Sequence, residues 1–185
     1  MKVYIKNMIC IRCKMFVEHI LQKLDIPFHN VLIGEVNLNQ PLSSEQFQAL
    51  HAAILPLGLE IIEDRKQILA EKIKTIIVEL IHSSNQTLTT RFSTYLSKKL
   101  NYDYTYLANT FSEIENRTIE SYIISEKIER VKTLLACNQM TLTEIAYQLN
   151  YSSVAHLSFQ FKKVTGLTPS QFKNKKVINN NLMVA

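Results

Sequence analysis

Two stretches of the chain, FSTYLSKKLNYDYTYLANTFSEIENRTIESYI (residues 92–123) and TLTEIAYQLNYSSVAHLSFQFKKVTGLTPSQFK (141–173), are written on one hydrophobic skeleton. Leu96, Leu100, Asn101 and Tyr102 precede Ile145, Leu149, Asn150 and Tyr151 by 49 residues. Leu107, Phe111, Asn116, Thr118 and Tyr122 precede Leu157, Phe161, Gly166, Thr168 and Phe172 by 50, so the second copy has gained one residue in its turn. Each copy reads as a short helix, a tight turn at Asn-Tyr and a longer helix whose buried positions recur every fourth residue. The helical stretch Glu120 to Ala136 joins them.

Local signals agree with that division. Thr141 and Glu144 have capping-box spacing, and Ser152 or Ser153 is placed to cap the next helix. Asn116 and Gly166 stand where a helix must turn off in the left-handed conformation, which these residue types tolerate best. Such a unit leaves its second helix outside, free to enter a major groove. An ordinary αα-hairpin in a bundle has similar spacing, so charge has to separate the two cases. Residues 1–82 hold nine Lys/Arg and nine Asp/Glu, whereas 83–185 hold twelve and seven. The whole basic excess thus lies in the repeated half, at Lys98, Lys99, Lys162, Lys163, Lys173, Lys175 and Lys176 among others, as expected of a surface that neutralises phosphates.

The first 64 residues follow another rule. Val3-Tyr4-Ile5 is a β-prone run, Phe16, Val17, Ile20, Leu21 and Leu24 recur at helical spacing, and Val31 to Leu38 around Gly34 is strand-like. Ser43 to Gln46 starts a helix marked by Phe47, Leu50, Ile54 and Leu55, and Leu59 to Ile62 closes the segment as a strand. The order β-α-β-(β)-α-β predicts a small α+β sandwich, although Val31 to Leu38 is short for two strands. Asp64 to His82 is helical throughout, with Ile68, Leu69, Ile73, Ile76, Ile77, Leu80 and Ile81 in a broad stripe that packs internally or pairs with a second copy. The expected domains are 1–64 (α+β), 65–82 (connecting amphipathic helix), 83–176 (all-α, double helix-turn-helix) and 177–185 (disordered tail).

Taken together, Tyr102 to Lys173 resembles the DNA-binding domain of AraC/XylS-type transcription regulators. FKKVTGLTPSQFK at Phe161 to Lys173 is similar to that family's closing signature, and Leu142 to Ala146 stands at the expected distance before it. The resemblance implies base-facing residues Tyr104, Thr105, Tyr106, Ala108 and Asn109 on the first reading helix, and Ser153, Val154, Ala155, His156 and Phe159 on the second. It implies phosphate contacts from Lys98, Lys99, Lys162, Lys163 and Lys173, with promoter DNA and RNA polymerase as partners and the two helices about 34 Å apart along the duplex. Asn suits adenine, and Val, Ala or Thr methyls suit the thymine methyl. Phe159 replaces a residue that is polar in the family, often Arg, and is left to wedge, pack or touch thymine.

Met8-x-Cys10-x-x-Cys13 falls between a strand and a helix start. With the β-α-β elements that follow, it resembles the heavy-metal-associated domain of copper chaperones, which implies a ferredoxin-like β-α-β-β-α-β fold. Two thiolates at a helix N-terminus suit a soft ion such as Cu(I). They are too few for Zn(II) without further ligands, for which His19 and His29 are the nearest guesses. A thiol redox switch, or a domain that kept the shape without the ion, fits the same residues.

Three cysteines, one of them the distant Cys137, do not make a disulfide framework, and no apolar run nears the roughly 20 residues of a spanning helix. A cytoplasmic protein with reduced thiols is expected. Catalysis is not expected: a thioredoxin-like reading of CxxC lacks its Trp, since the chain has none, and no Ser/His/Asp set or Gly-rich phosphate loop stands out.

Overall fold

The computed structural model describes residues 1–82, 91–137 and 139–174. The expected tail 177–185, the boundary at 83 and Lys175-Lys176 lie outside the described residues. The elements are β1 (Lys2–Lys6), α1 (Ile11–Lys23), β2 (Phe28–Leu32), β3 (Glu35–Leu38), α2 (Ser44–Ile54), β4 (Glu60–Ile62), α3 (Arg65–His82), α4 (Phe92–Leu100), α5 (Tyr104–Glu115), α6 (Ile119–Cys137), α7 (Leu142–Gln148) and α8 (Val154–Thr165). A further helical turn covers residues 169–174.

The four strands form one antiparallel sheet in the order β2-β3-β1-β4. Successive side chains on a strand face opposite ways, so Val3, Ile5, Val36 and Leu38 point together into a core shared with Val17, Ile20 and Leu21 of α1 and Leu50 and Ile54 of α2. Ser43 opens α2 through a capping box with Gln46. The segment expected to be short for two strands does form both of them. β2 begins upstream of Val31, at Phe28, and its His29 and Asn30 are exposed, so this edge strand carries no apolar alternation to read. Gly34, at φ 78°, makes the turn to β3.

Tyr4, paired with Ile62, faces away from that core, and α3 approaches it there, with Lys72 Nζ 4.8 Å from the centre of the Tyr4 ring. The backbone N–H of Asn7 donates to Glu71 Oε2 at 3.3 Å. From Leu69 to Val78 almost every residue of α3 is buried, Glu71 and Lys74 included. Such burial on all sides means packing within the chain. Lys74 Nζ bridges Glu71 at 2.5 Å and Glu115, the last residue of α5, at 3.0 Å, and Lys66 Nζ lies 2.7 Å from both carboxylate oxygens of Glu113. These ties explain why the chain divides into two compact units at an unexpected place. One unit is Met1–Val78 with Phe92–Arg117, which joins α4 and α5 to the sheet; the other holds the described residues of Glu79–Arg91 and Thr118–Ala185.

In the first unit Leu96, Leu107 and Phe111 form the buried contact of α4 with α5. In the second, Ile145, Leu149, Leu157 and Phe161 repeat it, with the Phe172 ring edge-on to Phe161 at 5.6 Å. Burying such a side chain stabilises by about 1.5–3 kcal/mol, so each small helix pair depends on three or four residues. The turns differ by the one residue read from the sequence. Asn101 and Asn150 both take positive φ (58° and 55°), and Asp103 caps α5 where Ser153 caps α8. Thr141 and Glu144 form the expected capping box of α7, and Asn116 and Gly166 end their helices in the left-handed conformation.

Candidate nucleic-acid interface and thiol pair

Helical periodicity decides which side chains α5 and α8 present. With Leu107 and Phe111 buried, Thr105, Tyr106 and Asn109 are left exposed along one stripe of α5, while Tyr104 and Ala108 sit half-buried on its flanks. With Leu157 and Phe161 buried, α8 presents Ala155, His156 and Phe159 in the same register, with Ser153 exposed at its cap and Val154 half-buried. Phe159 is 70% exposed, so its ring is no part of the core. Each stripe begins at an aromatic contact from the preceding turn: Tyr102 stacks on Tyr106 at 5.3 Å, and Tyr151 meets the His156 ring edge-on at 5.5 Å.

The two copies hold their turn tyrosine differently. Tyr102 is half exposed. Tyr151 donates its O–H to Gln160 Oε1 at 2.7 Å, and burial pushes its phenol up to about 12. Lys127 reaches under the same ring and donates to the Leu149 carbonyl at 2.7 Å, covering the C-terminal end of α7. Burial lowers the pKa of Lys127. His156 Nδ1 is 2.9 Å from Ser152 Oγ, which orients the ring on the helix surface.

Among the lysines, Lys98, Lys99, Lys162 and Lys163 are exposed and Lys173 is half-buried. Lys162 and Lys163 extend the α8 stripe by one turn. The equivalent positions on α5 are Ser112 and Glu113, which the sequence reading passed over although the 50-residue offset points straight at them. Thus α8 ends its outer face with two cations and α5 with a carboxylate, and that carboxylate is held by Lys66 of α3. α5 carries no Lys or Arg at all.

Cys10 is the N-cap of α1, its Sγ accepting the Cys13 N–H at 3.4 Å, and the two Sγ atoms are 3.0 Å apart. Desolvation pushes the Cys10 thiol up, but hydrogen bonds from the Cys13 side chain and from the Cys13 and Arg12 backbone, with the Arg12 guanidinium, outweigh it and leave the pKa lowered. Cys13 is raised, by desolvation and by its contact with Cys10. The two shifts run in opposite directions, Cys10 being the sulfur whose thiolate is favoured. Met8 is fully buried in the sheet core. Among the described residues no group of three or more His, Cys, Asp and Glu is placed to hold a metal. The donor set at this point is two thiols, which fits a two-coordinate soft ion and not a tetrahedral Zn(II) site.

An inner helix, a tight turn and an outer helix with an exposed stripe, twice over, define a helix-turn-helix protein. Residues 96–175 match the family described as "Helix-turn-helix domain". Over 86 residues the chain is 33% identical to the Msm operon regulatory protein of Streptococcus mutans, a match covering 46% of this chain and 30% of that protein. Over 68 residues it is 37% identical to an uncharacterised helix-turn-helix-type transcriptional regulator of Pseudoalteromonas carrageenovora, covering 37% of this chain and 40% of the relative. The chain thus spans less than half the length of these two curated relatives. The C-terminal domain of AraT, a response regulator from Geobacillus stearothermophilus, shares the fold, with a TM-score of 0.51 at 20% identity over 60% of this chain and 88% of that one. No described helix is long and apolar enough to cross a membrane.

Proposed function

We propose that this protein is a DNA-binding transcription regulator that reads a promoter duplex with α5 and α8 and takes its signal through the sheet-bearing half. The observation that carries the reading is the matched exposed stripe, Thr105, Tyr106 and Asn109 on α5 and Ala155, His156 and Phe159 on α8, each on the outer helix of its unit. Asn109 pairs with adenine, the Thr105 and Ala155 methyls and the Phe159 ring meet thymine methyls, and Lys98, Lys99, Lys162, Lys163 and Lys173 hold phosphates. The curated relatives, regulators by name, support it. RNA polymerase is the expected partner for a regulator bound at a promoter.

A mobility-shift titration against promoter fragments of the source genome tests this. One or more fragments should be preferred over random duplex, with affinity falling as salt rises. Equal binding to all fragments would refute the reading.

For the signal, we read residues 1–64 as ferredoxin-like, supported by the antiparallel order β2-β3-β1-β4 and the shared core of α1 and α2. Cys10 and Cys13 are its sensing atoms, supported by their 3.0 Å separation and the lowered Cys10 pKa. When bound, a soft ion such as Cu(I) would draw both thiolates into one linkage; oxidation would do so by a disulfide.

A further inference from the structure

A buried carboxylate, a buried ammonium and a second, partly buried carboxylate form an unbroken chain from the thiol loop to the end of α5. Asn7 stands three residues before Cys10, in the left-handed conformation (φ 64°), with its side chain donating to the Gly58 carbonyl at 2.9 Å. Its backbone N–H donates to Glu71 Oε2; the other oxygen, Oε1, takes Lys74. Lys74 also reaches Glu115 Oε1, and Glu115 Oε2 faces Arg117 at 3.7 Å. Glu71 is thus a two-sided link, one oxygen toward the loop and one toward Lys74, and Glu115, in α5 itself, joins Lys74 to Arg117. The side chains of Glu71, Lys74 and Glu115 are 7%, 7% and 14% exposed, so water does not screen the chain. Apolar side chains of similar volume would have served stability as well or better, which leaves fixing of geometry as the distinctive thing such a buried set does. This chain of contacts lies within one compact unit, and α8 belongs to the other.

We propose that Glu71 and Lys74 are positioning residues for α5, and that the chain Asn7–Glu71–Lys74–Glu115 transmits the arrangement of the Cys10–Cys13 loop to base reading by α5 and not by α8. This rests on the DNA-reading role proposed above. Drawing Cys10 and Cys13 together moves the N-cap of α1 and the turn at Asn7 that precedes it. Glu71 loses or shifts its backbone donor, Lys74 follows its partner, and the C-terminal end of α5 changes its setting. Coupling of this kind is carried by contiguous networks with two arrangements and is typically about 5- to 150-fold in affinity.

The experiment uses the full chain and a preferred duplex. Duplex positions are assigned to α5 or α8 by which of them lose preference in Asn109→Ala and in Phe159→Ala. The thiols are closed with glutathione disulfide: Cys10 and Cys13 give up two electrons and two protons and form one S–S bond, while the S–S bond of the reagent breaks to two glutathione thiols. In the wild type, closure should change discrimination at the α5 positions by about fivefold or more and leave the α8 positions unchanged. The apolar triple variant Glu71→Leu, Lys74→Met, Glu115→Leu, verified as folded by circular dichroism, should discriminate poorly at the α5 positions, normally at the α8 positions, and no longer respond to closure. Should the triple variant not fold, Glu115→Gln, which weakens only the last link, is expected to show the same one-sided loss. Full α5 discrimination in the folded variant, equal loss at both sets of positions, or no response of the wild type to closure would each overturn the inference. Absence of any preferred duplex for the wild type is a different failure: it removes the DNA-reading role itself and the inference with it.

Discussion

Replacing Lys74 alone should damage the protein more than replacing its whole charge set. Lys74→Met keeps the length and apolar stem of the side chain but removes the one ammonium between Glu71 and Glu115, which contacts them at 2.5 and 3.0 Å. Two carboxylates are then left facing each other away from water, with the Asn7 N–H and the half-exposed Arg117 as remaining partners. Breaking a buried ion pair from one side costs about 3–5 kcal/mol, whereas replacing all members by apolar groups of similar volume is often neutral or stabilising. For a chain of this size about 2–4 °C of melting temperature accompanies each kcal/mol, so the single variant should melt about 6–20 °C lower. Urea unfolding, with amide exchange at Leu107 and Phe111 to report on the unit that contains α5, measures the loss where it arises. The triple variant should lie within about 1 kcal/mol of wild type or above it. A single variant that loses less than about 1 kcal/mol, or a triple variant as unstable as the single one, would refute the reasoning, because burial would then not be amplifying these charges.

Lys162→Ala should weaken all duplexes alike and lower the slope of log affinity against log salt by about 0.9, while Asn109→Ala should relax base preference by about 1–3 kcal/mol at one position. Equal effects of both on matched and mismatched duplexes would reverse those roles. Because its pKa is lowered, Cys10 should react with iodoacetamide at a pH below that of an ordinary thiol and Cys13 only above it; Cys13→Ala, which removes a hydrogen bond to the thiolate, should move the Cys10 profile up. Coincident profiles for the two sulfurs would show that the N-cap does not separate them. Thr141→Ala removes the side-chain half of the α7 capping box, leaving the backbone N–H of residue 141 on Glu144, and should cost about 1 kcal/mol, read by denaturation, with helix α7 protecting its amides least. An unchanged protein would mean that the helix end is held by packing alone.

The repeat was legible because its determinants are local: Asn101 and Asn150 for the turns, Thr141 and Ser153 for the caps, and a buried side chain every fourth residue. The start of β2 was not. His29 and Asn30 are strand residues by virtue of pairing with β3, and an exposed edge strand needs no apolar signal of its own. Nor did α3 announce its partner. Its apolar stripe was plain, but Glu71 and Lys74 lie off that stripe, and the carboxylate that pairs with Lys74, Glu115, stands some 40 positions further on. Periodicity reports which residues leave water; it carries no information on charges that leave water in pairs. Glu113 was hidden differently. Its place in the repeat was computable, but a search for phosphate contacts looks for cations and passes over an anion.

The unlike ends of the two outer helices have a kinetic side. A duplex presents the same phosphate charge at every position, so the helix that ends in Lys162-Lys163 holds on wherever the protein lands and lets it slide. The helix whose outer face ends in Glu113, paired with Lys66, gains little from wrong sequence. On the proposed reading, one half of the repeat keeps the protein on the track during its search and the other decides where it stops. Reversing that asymmetry with Glu113→Lys would make a tighter binder that lingers at the wrong sites.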